Sequence, residues 1–137
     1  AYLLVTDEGL ILFDSLYNEF TAQLLQSVQE LGFEPGDIKY VLITHGHNDH
    51  AGGSEEVRDV SGARIAMSSA DWAMLDQEVD LVFEDGDSLT LGDTTIKFYL
   101  TPGHTPGVLS MQFPVRDGDE AHEAFLFGGH NVTSRVA

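Results

Sequence analysis

Tyr40-Val41-Leu42-Ile43-Thr44-His45-Gly46-His47-Asn48-Asp49-His50-Ala51-Gly52-Gly53 is the stretch on which the fold turns. It opens with a continuous apolar run of strand length, the pattern of a strand covered on both faces. The run stops at Thr44, and a polar segment follows in which positions 45, 47 and 50 are histidine. His45 and His47 are two apart, so in an extended segment their rings point the same way. Asp49 and His50 come where the chain turns towards a helix, and that turn redirects the second pair. Ala51, Gly52 and Gly53 add little bulk and allow close backbone approach. Ser54 is a fair N-cap for a short helix carrying Val57 and Val60.

The rest of the chain fits around this stretch. Upstream, Tyr2–Val5 and Leu10–Phe13 are apolar runs split by Asp7-Glu8-Gly9, which predicts a β-hairpin ending at Asp14. Phe20, Leu24, Leu25, Val28 and Leu31 mark one face of a helix over 19–31, with Gly32 as its stop. Downstream, Arg64–Met67 reads as a strand, and Ser68 or Ser69 caps a helix holding Trp72 and Leu75. Ser88–Leu91, Thr94–Leu100, Val108–Val115 and Ala124–Phe127 are further strands. Hairpins, then alternation with helices, then hairpins again predict a mixed sheet with helices packed on it, in the α/β or α+β region. The 137 residues suit one domain, residues 1–137, with no linker or repeat. Both ends read as cuts inside a domain. Ala1 leads straight into a strand, and Asn131–Ala137 carries no stop signal.

Imidazole-rich, thiolate-free clusters suit zinc that keeps a position open for water, and imidazole also suits iron, nickel and copper. The chain has no cysteine, so Cys-ligated zinc, iron–sulfur clusters and a Cys nucleophile are excluded. His104 lies between Pro102-Gly103 and Pro106-Gly107, a stiff loop at the end of a strand, and is the natural third ligand beside His45 and His47.

Thr44-His45-Gly46-His47-Asn48-Asp49-His50 resembles the H-x-H-x-D-H signature of the metallo-β-lactamase-fold superfamily, and Thr101–Gly107 resembles that family's second histidine motif. The resemblance spans essentially the whole chain. It implies an α+β fold, an αββα sandwich with a dinuclear site on one edge, here incomplete at both ends. It implies that His45, His47 and His104 hold one metal and that Asp49 and His50 contribute to a second. The implied reaction is hydrolysis, in which a metal-bound hydroxide opens an amide or ester bond and Asp49 orients the nucleophile. One or two zinc ions are the expected cofactors, with iron the alternative. The branch of β-lactamases with an Asp-His-His second site is the most similar, which implies a periplasmic or secreted setting.

Two departures bear on that branch. Thioester-hydrolase and lactonase members place a bridging Asp in a Gly-Asp step after a strand, whereas this chain has Phe127-Gly128-Gly129-His130-Asn131. His130 is read as a bystander rather than a replacement ligand. The last family histidine, expected near the end of a longer chain, has no counterpart before Ala137. Three functions follow from these residues: a zinc-dependent hydrolase of β-lactamase or thioester-hydrolase type, a mononuclear iron dioxygenase, and a metal-binding fragment that does not turn over.

Charge narrows the partners. Asp and Glu number 23 against six Lys and Arg, a formal net charge of −17. The six cations are scattered, so the field repels nucleic acid and anionic membranes rather than binding them. No apolar run approaches the ~18–20 residues of a membrane-spanning helix. A small-molecule substrate is the expected partner, and the sequence does not fix the oligomeric state.

Overall fold

The computed structural model describes residues 1–130. The stretch Asn131–Ala137, read above as lacking a stop signal, lies outside them. Two sheets are present. The first has the order β1-β2-β3-β4-β5, formed by Tyr2–Thr6, Gly9–Phe13, Ile38–Leu42, Arg64–Met67 and Leu81–Val82. β1 and β2 are an antiparallel hairpin, and the remaining neighbours are parallel. The second sheet is an antiparallel meander, β6-β7-β8-β9, formed by Ser88–Leu91, Thr94–Leu100, Leu109–Asp117 and Glu120–Leu126. Four helices complete the described residues: α1 (Thr21–Glu30), α2 (Asn48–Ala51), α3 (Ser54–Ser61) and α4 (Ser69–Trp72).

The layering follows from strand periodicity. Successive side chains of a strand face opposite sides. Leu10 and Leu12 of β2, Val41 of β3 with Ile43 just beyond it, and Ile65 and Met67 of β4 pack with Leu24, Val28 and Val57 of the helices. The alternate residues Ile11, Phe13, Leu42 and Ala66 pack with Ile96, Phe98, Leu109, Met111 and Phe113 of the second sheet. Leu10–Phe13, Tyr40–Leu42 and Ile65–Met67 are therefore covered on both faces and read as unbroken apolar runs, whereas Lys39 and Arg64 near the strand starts are exposed. Phe13 stacks on Phe113 across the two sheets, ring centroids 4.8 Å apart. Truncating such a buried ring to alanine costs about 3–5 kcal/mol. Helices, first sheet and second sheet thus form three layers of the expected sandwich. The outward side chains Thr95 and Lys97 of β7 are exposed.

Several boundaries differ from the sequence reading. The first helix is α-helical from Thr21, preceded by a 3₁₀ turn at Asn18–Phe20. It ends with Gly32 at φ +91°, Gly32 N–H donating to Gln29 O and Phe33 N–H to Val28 O, a Schellman closure. Ser54 does not cap α3. Gly53 occupies that position, and the Ser54 hydroxyl donates to Ala51 O at the end of α2. The helix around Trp72 is a single turn capped by Ser68, so Leu75 lies beyond it. β9 starts at Glu120 rather than Ala124. Its polar first half is an exposed edge that pairs with β8 from Asp117 onward, and a strand with little burial leaves no apolar signal.

Candidate metal centre

Both histidine-bearing segments leave the carboxyl ends of strands on the same edge of the sandwich. β3 ends at Leu42 and runs through Ile43 and Thr44 to His45, while β7 ends at Leu100 and leads to His104. The Leu109 N–H donates to Thr44 O at 2.8 Å, so the two sheets are hydrogen-bonded beside these loops.

His45, His47 and His104 each present a ring nitrogen, and these nitrogens lie within 4.8 Å of one another. His45 is buried. Its Nδ1 lies 2.9 Å from Gly128 O. A carbonyl only accepts, so Nδ1 carries the proton and Nε2 holds the lone pair. That Nε2 is buried without a hydrogen-bond partner among the described residues. Such an orphaned acceptor is costly in a folded interior unless something binds it. Burial holds the His45 pKa below its ordinary value, reinforced by the neighbouring His50, and this favours the neutral, ligating form. His47 Nδ1 and His104 Nε2 are 3.0 Å apart. Two nitrogens bound to one zinc at ~2.0–2.1 Å in tetrahedral geometry stand ~3.3–3.4 Å apart, close to that spacing. The residues fit a divalent cation with three imidazole ligands and an open position.

Asp49 and His50 sit on α2, beside this group rather than in it. The His50 ring is 4.0 Å from that of His45, centroid to centroid. Its Nδ1 is 2.8 Å from Asp14 Oδ2, and its Nε2 is 3.5 Å from Asp49 Oδ2. The Asp14 hydrogen bond outweighs partial burial and holds the His50 pKa above its ordinary value. Because Asp14 engages Nδ1, the Nε2 of His50 is the nitrogen turned towards the half-exposed Asp49 carboxylate. His130 is exposed, its ring 5.6 Å from that of Phe127, and it does not belong to the three-histidine group.

Three features escaped the sequence reading. Asp14, taken only as the end of a strand, also accepts from Thr44 N–H at 2.8 Å and from the Thr44 hydroxyl. It adopts φ +58° directly after β2, a turn that sends its side chain under the histidine segment. The one available signal was a lone carboxylate closing a fully apolar run. Asp71, fully buried on α4, bonds both ligand loops, and nothing in its neighbours distinguishes it from a surface Asp. Gly129 lies against the cluster. A Cβ there would meet His45 Cε1 at 3.3 Å and His104 Cδ2 at 3.4 Å.

Residues 1–117 match the family described as the metallo-beta-lactamase superfamily. The chain belongs to the metallo-β-lactamase superfamily. Among solved structures, BJP-1, a subclass B3 metallo-β-lactamase of Bradyrhizobium japonicum, superposes with a TM-score of 0.88 at 34% identity, over 93% of this chain and 55% of that one. Native FEZ-1 metallo-β-lactamase from Legionella gormanii gives 0.87 at 28% identity, over 98% and 61%. Among curated sequences, a hydroxyacylglutathione hydrolase of Cereibacter sphaeroides is 35% identical over 91 residues, 66% of this chain and 34% of that protein. One from Rhodospirillum rubrum is 32% identical over 111 residues, 81% and 39%. The chain spans about a third of those curated relatives and somewhat over half of the solved metallo-β-lactamases.

Proposed function

We propose that this chain carries the metal centre of a zinc-dependent hydrolase that opens the amide bond of a β-lactam. The observation that carries the metal reading is the convergence of three imidazole nitrogens, with His45 Nε2 buried and unpartnered. When bound, zinc supplies Lewis acidity and lowers the pKa of water to about 7. His45, His47 and His104 hold it. The Gly128 carbonyl fixes the tautomer of His45 and Asp14 fixes that of His50. Asp49, half exposed and on the open side of His50, orients the attacking water and moves its proton to the leaving nitrogen through Oδ2. The −17 charge opposes approach of an anionic β-lactam at long range. Screening confines that effect to about 8 Å at physiological salt.

The Gly129 contact supports the amide reading over the thioester one. Thioester hydrolases of the family carry a carboxylate in this segment, and here the residue against the histidine rings is a glycine. Thioester hydrolysis is the second reading, favoured by the hydroxyacylglutathione hydrolases among the sequence relatives. Metal analysis of protein purified without added metal, followed by assays on a chromogenic cephalosporin and a hydroxyacylglutathione thioester, decides between them. Zinc-dependent cephalosporin opening that disappears in His104→Ala supports the first reading, and activity on the thioester alone supports the second. Iron without zinc overturns both in favour of an oxygenase. A tight zinc equivalent with neither activity leaves a metal-binding fragment.

A further inference from the structure

We propose that Asp71 is a positioning residue that clamps the two ligand loops together and thereby sets the metal affinity of the three-histidine site. This rests on the reading of His45, His47 and His104 as one metal centre. The Asp71 side chain is fully buried and accepts three hydrogen bonds. Gly46 N–H donates to Oδ2 at 2.8 Å, the Thr105 hydroxyl to the same oxygen at 2.5 Å, and Gly107 N–H to Oδ1 at 2.7 Å. Gly46 lies between His45 and His47, and Thr105 follows His104. One carboxylate therefore holds the backbone between the first two ligands and the residue beside the third. The two loops come from different sheets, and only tertiary contacts bring them together.

The surroundings are built for this contact. Ser68 Oγ caps Asp71 N–H at 3.3 Å and donates to Gly107 O at 2.6 Å, so the turn that presents the carboxylate is tied to the same loop. A Cβ on Gly107 would lie 2.6 Å from Asp71 Oδ1 and closer still to Ser68 Oγ. A Cβ on Gly46 would meet Asp71 O at 3.1 Å and Met74 Cβ at 3.0 Å. Glycine at both positions lets α4 approach the two loops at backbone distance. A buried carboxylate is stable only if donors replace its lost water, and the donors here come from the ligand loops themselves. Loop spacing and carboxylate satisfaction are one and the same condition.

Zinc competition against a chromophoric chelator, with the cobalt(II) absorption spectrum as second readout, tests this on the whole chain. Asp71→Ala is expected to weaken zinc binding about 10–100-fold, the usual effect of losing an outer partner of a metal site, and to alter the cobalt bands. Asp71→Asn keeps an acceptor for Gly46 and Thr105 but turns an amide towards Gly107 N–H, so it recovers part of the affinity. Folded Asp71→Ala protein with wild-type zinc affinity and an unchanged cobalt spectrum overturns the proposal and leaves the metal reading intact. Should Asp71→Ala not fold, Thr105→Val decides. It removes one donor and keeps the carboxylate, and about 2–10-fold weaker zinc binding is expected from one lost hydrogen bond, with unchanged affinity overturning the clamp. A wild-type chain with no tight zinc equivalent overturns the metal reading and the clamp with it.

Discussion

His45, His47 and His104 differ in construction from Asp49 and His50. The first group is assembled across the fold: His47 and His104 meet at 3.0 Å from 57 residues apart, on loops that leave two different sheets. The second pair are neighbours on one short helix, held from a distance by the Asp14 carboxylate on the His50 ring and by Ser15, whose N–H and hydroxyl both donate to His50 O. A site joined across sheets depends on whatever keeps the sheets and loops in register. A site on one helical turn depends on local backbone and on the single turn, Asp14-Ser15, that anchors it. Damage to packing should therefore harm the first group more, and loss of one hydrogen bond should harm the second.

The largest expected effect breaks the first group outright. His104→Ala should abolish the tight zinc equivalent and all metal-dependent hydrolysis, measured by equilibrium dialysis and assay. A retained tight equivalent would mean that His104 is not a ligand. Asp49→Asn should separate holding a metal from using it. The tight equivalent persists while turnover falls about 10²–10⁴-fold, the range of general acid–base contributions, and wild-type turnover would remove Asp49 from the chemistry. Asp14→Asn should act mainly on the second pair, because its contact with the first group runs only through Thr44. A second zinc equivalent binds about 10–100-fold more weakly while the first weakens less, read from a two-step titration, and equal weakening of both steps would dissolve the distinction. The finest comparison sets Gly129→Ala against Gly118→Ala. Both positions have positive φ, +149° and +58°, so each should lose about 1–2 kcal/mol in denaturant unfolding. Only Gly129→Ala should also weaken zinc binding, because its new methyl presses on His45 and His104, whereas Gly118 has open space.

The same contrast explains what was legible before the structure. Strands β2 to β4 announce themselves because burial of their carboxyl halves on both faces demands apolar residues there. His45 and His47 were readable as a pair with His104 because they lie two apart in one short polar segment, although that segment bends rather than running extended. His104 was legible through its stiff Pro-Gly loop and the family resemblance. Asp71 and Asp14 were not, because a carboxylate's role is set by donors that arrive from elsewhere in the chain, and no window of sequence around Asp71 contains Gly46 or Thr105. β9 was half missed for the opposite reason. Its pairing with β8 is regular, but an exposed edge strand is free to be polar, so the pattern that reports burial is silent there.

The hydrogen bond from Leu109 to Thr44 has a consequence for loading and unloading of the site. It is a direct backbone stitch between the two sheets at their ligand-bearing edge, a few residues from His45. A cation gripped by His45 on one side and His104 on the other adds a second stitch beside it. Amide protons along this seam, Leu109 foremost, should then exchange with solvent more slowly in the zinc-loaded chain than in the chelated one, while the β8–β9 hairpin end keeps its rate. The ion would serve the scaffold as a rivet as well as serving the chemistry.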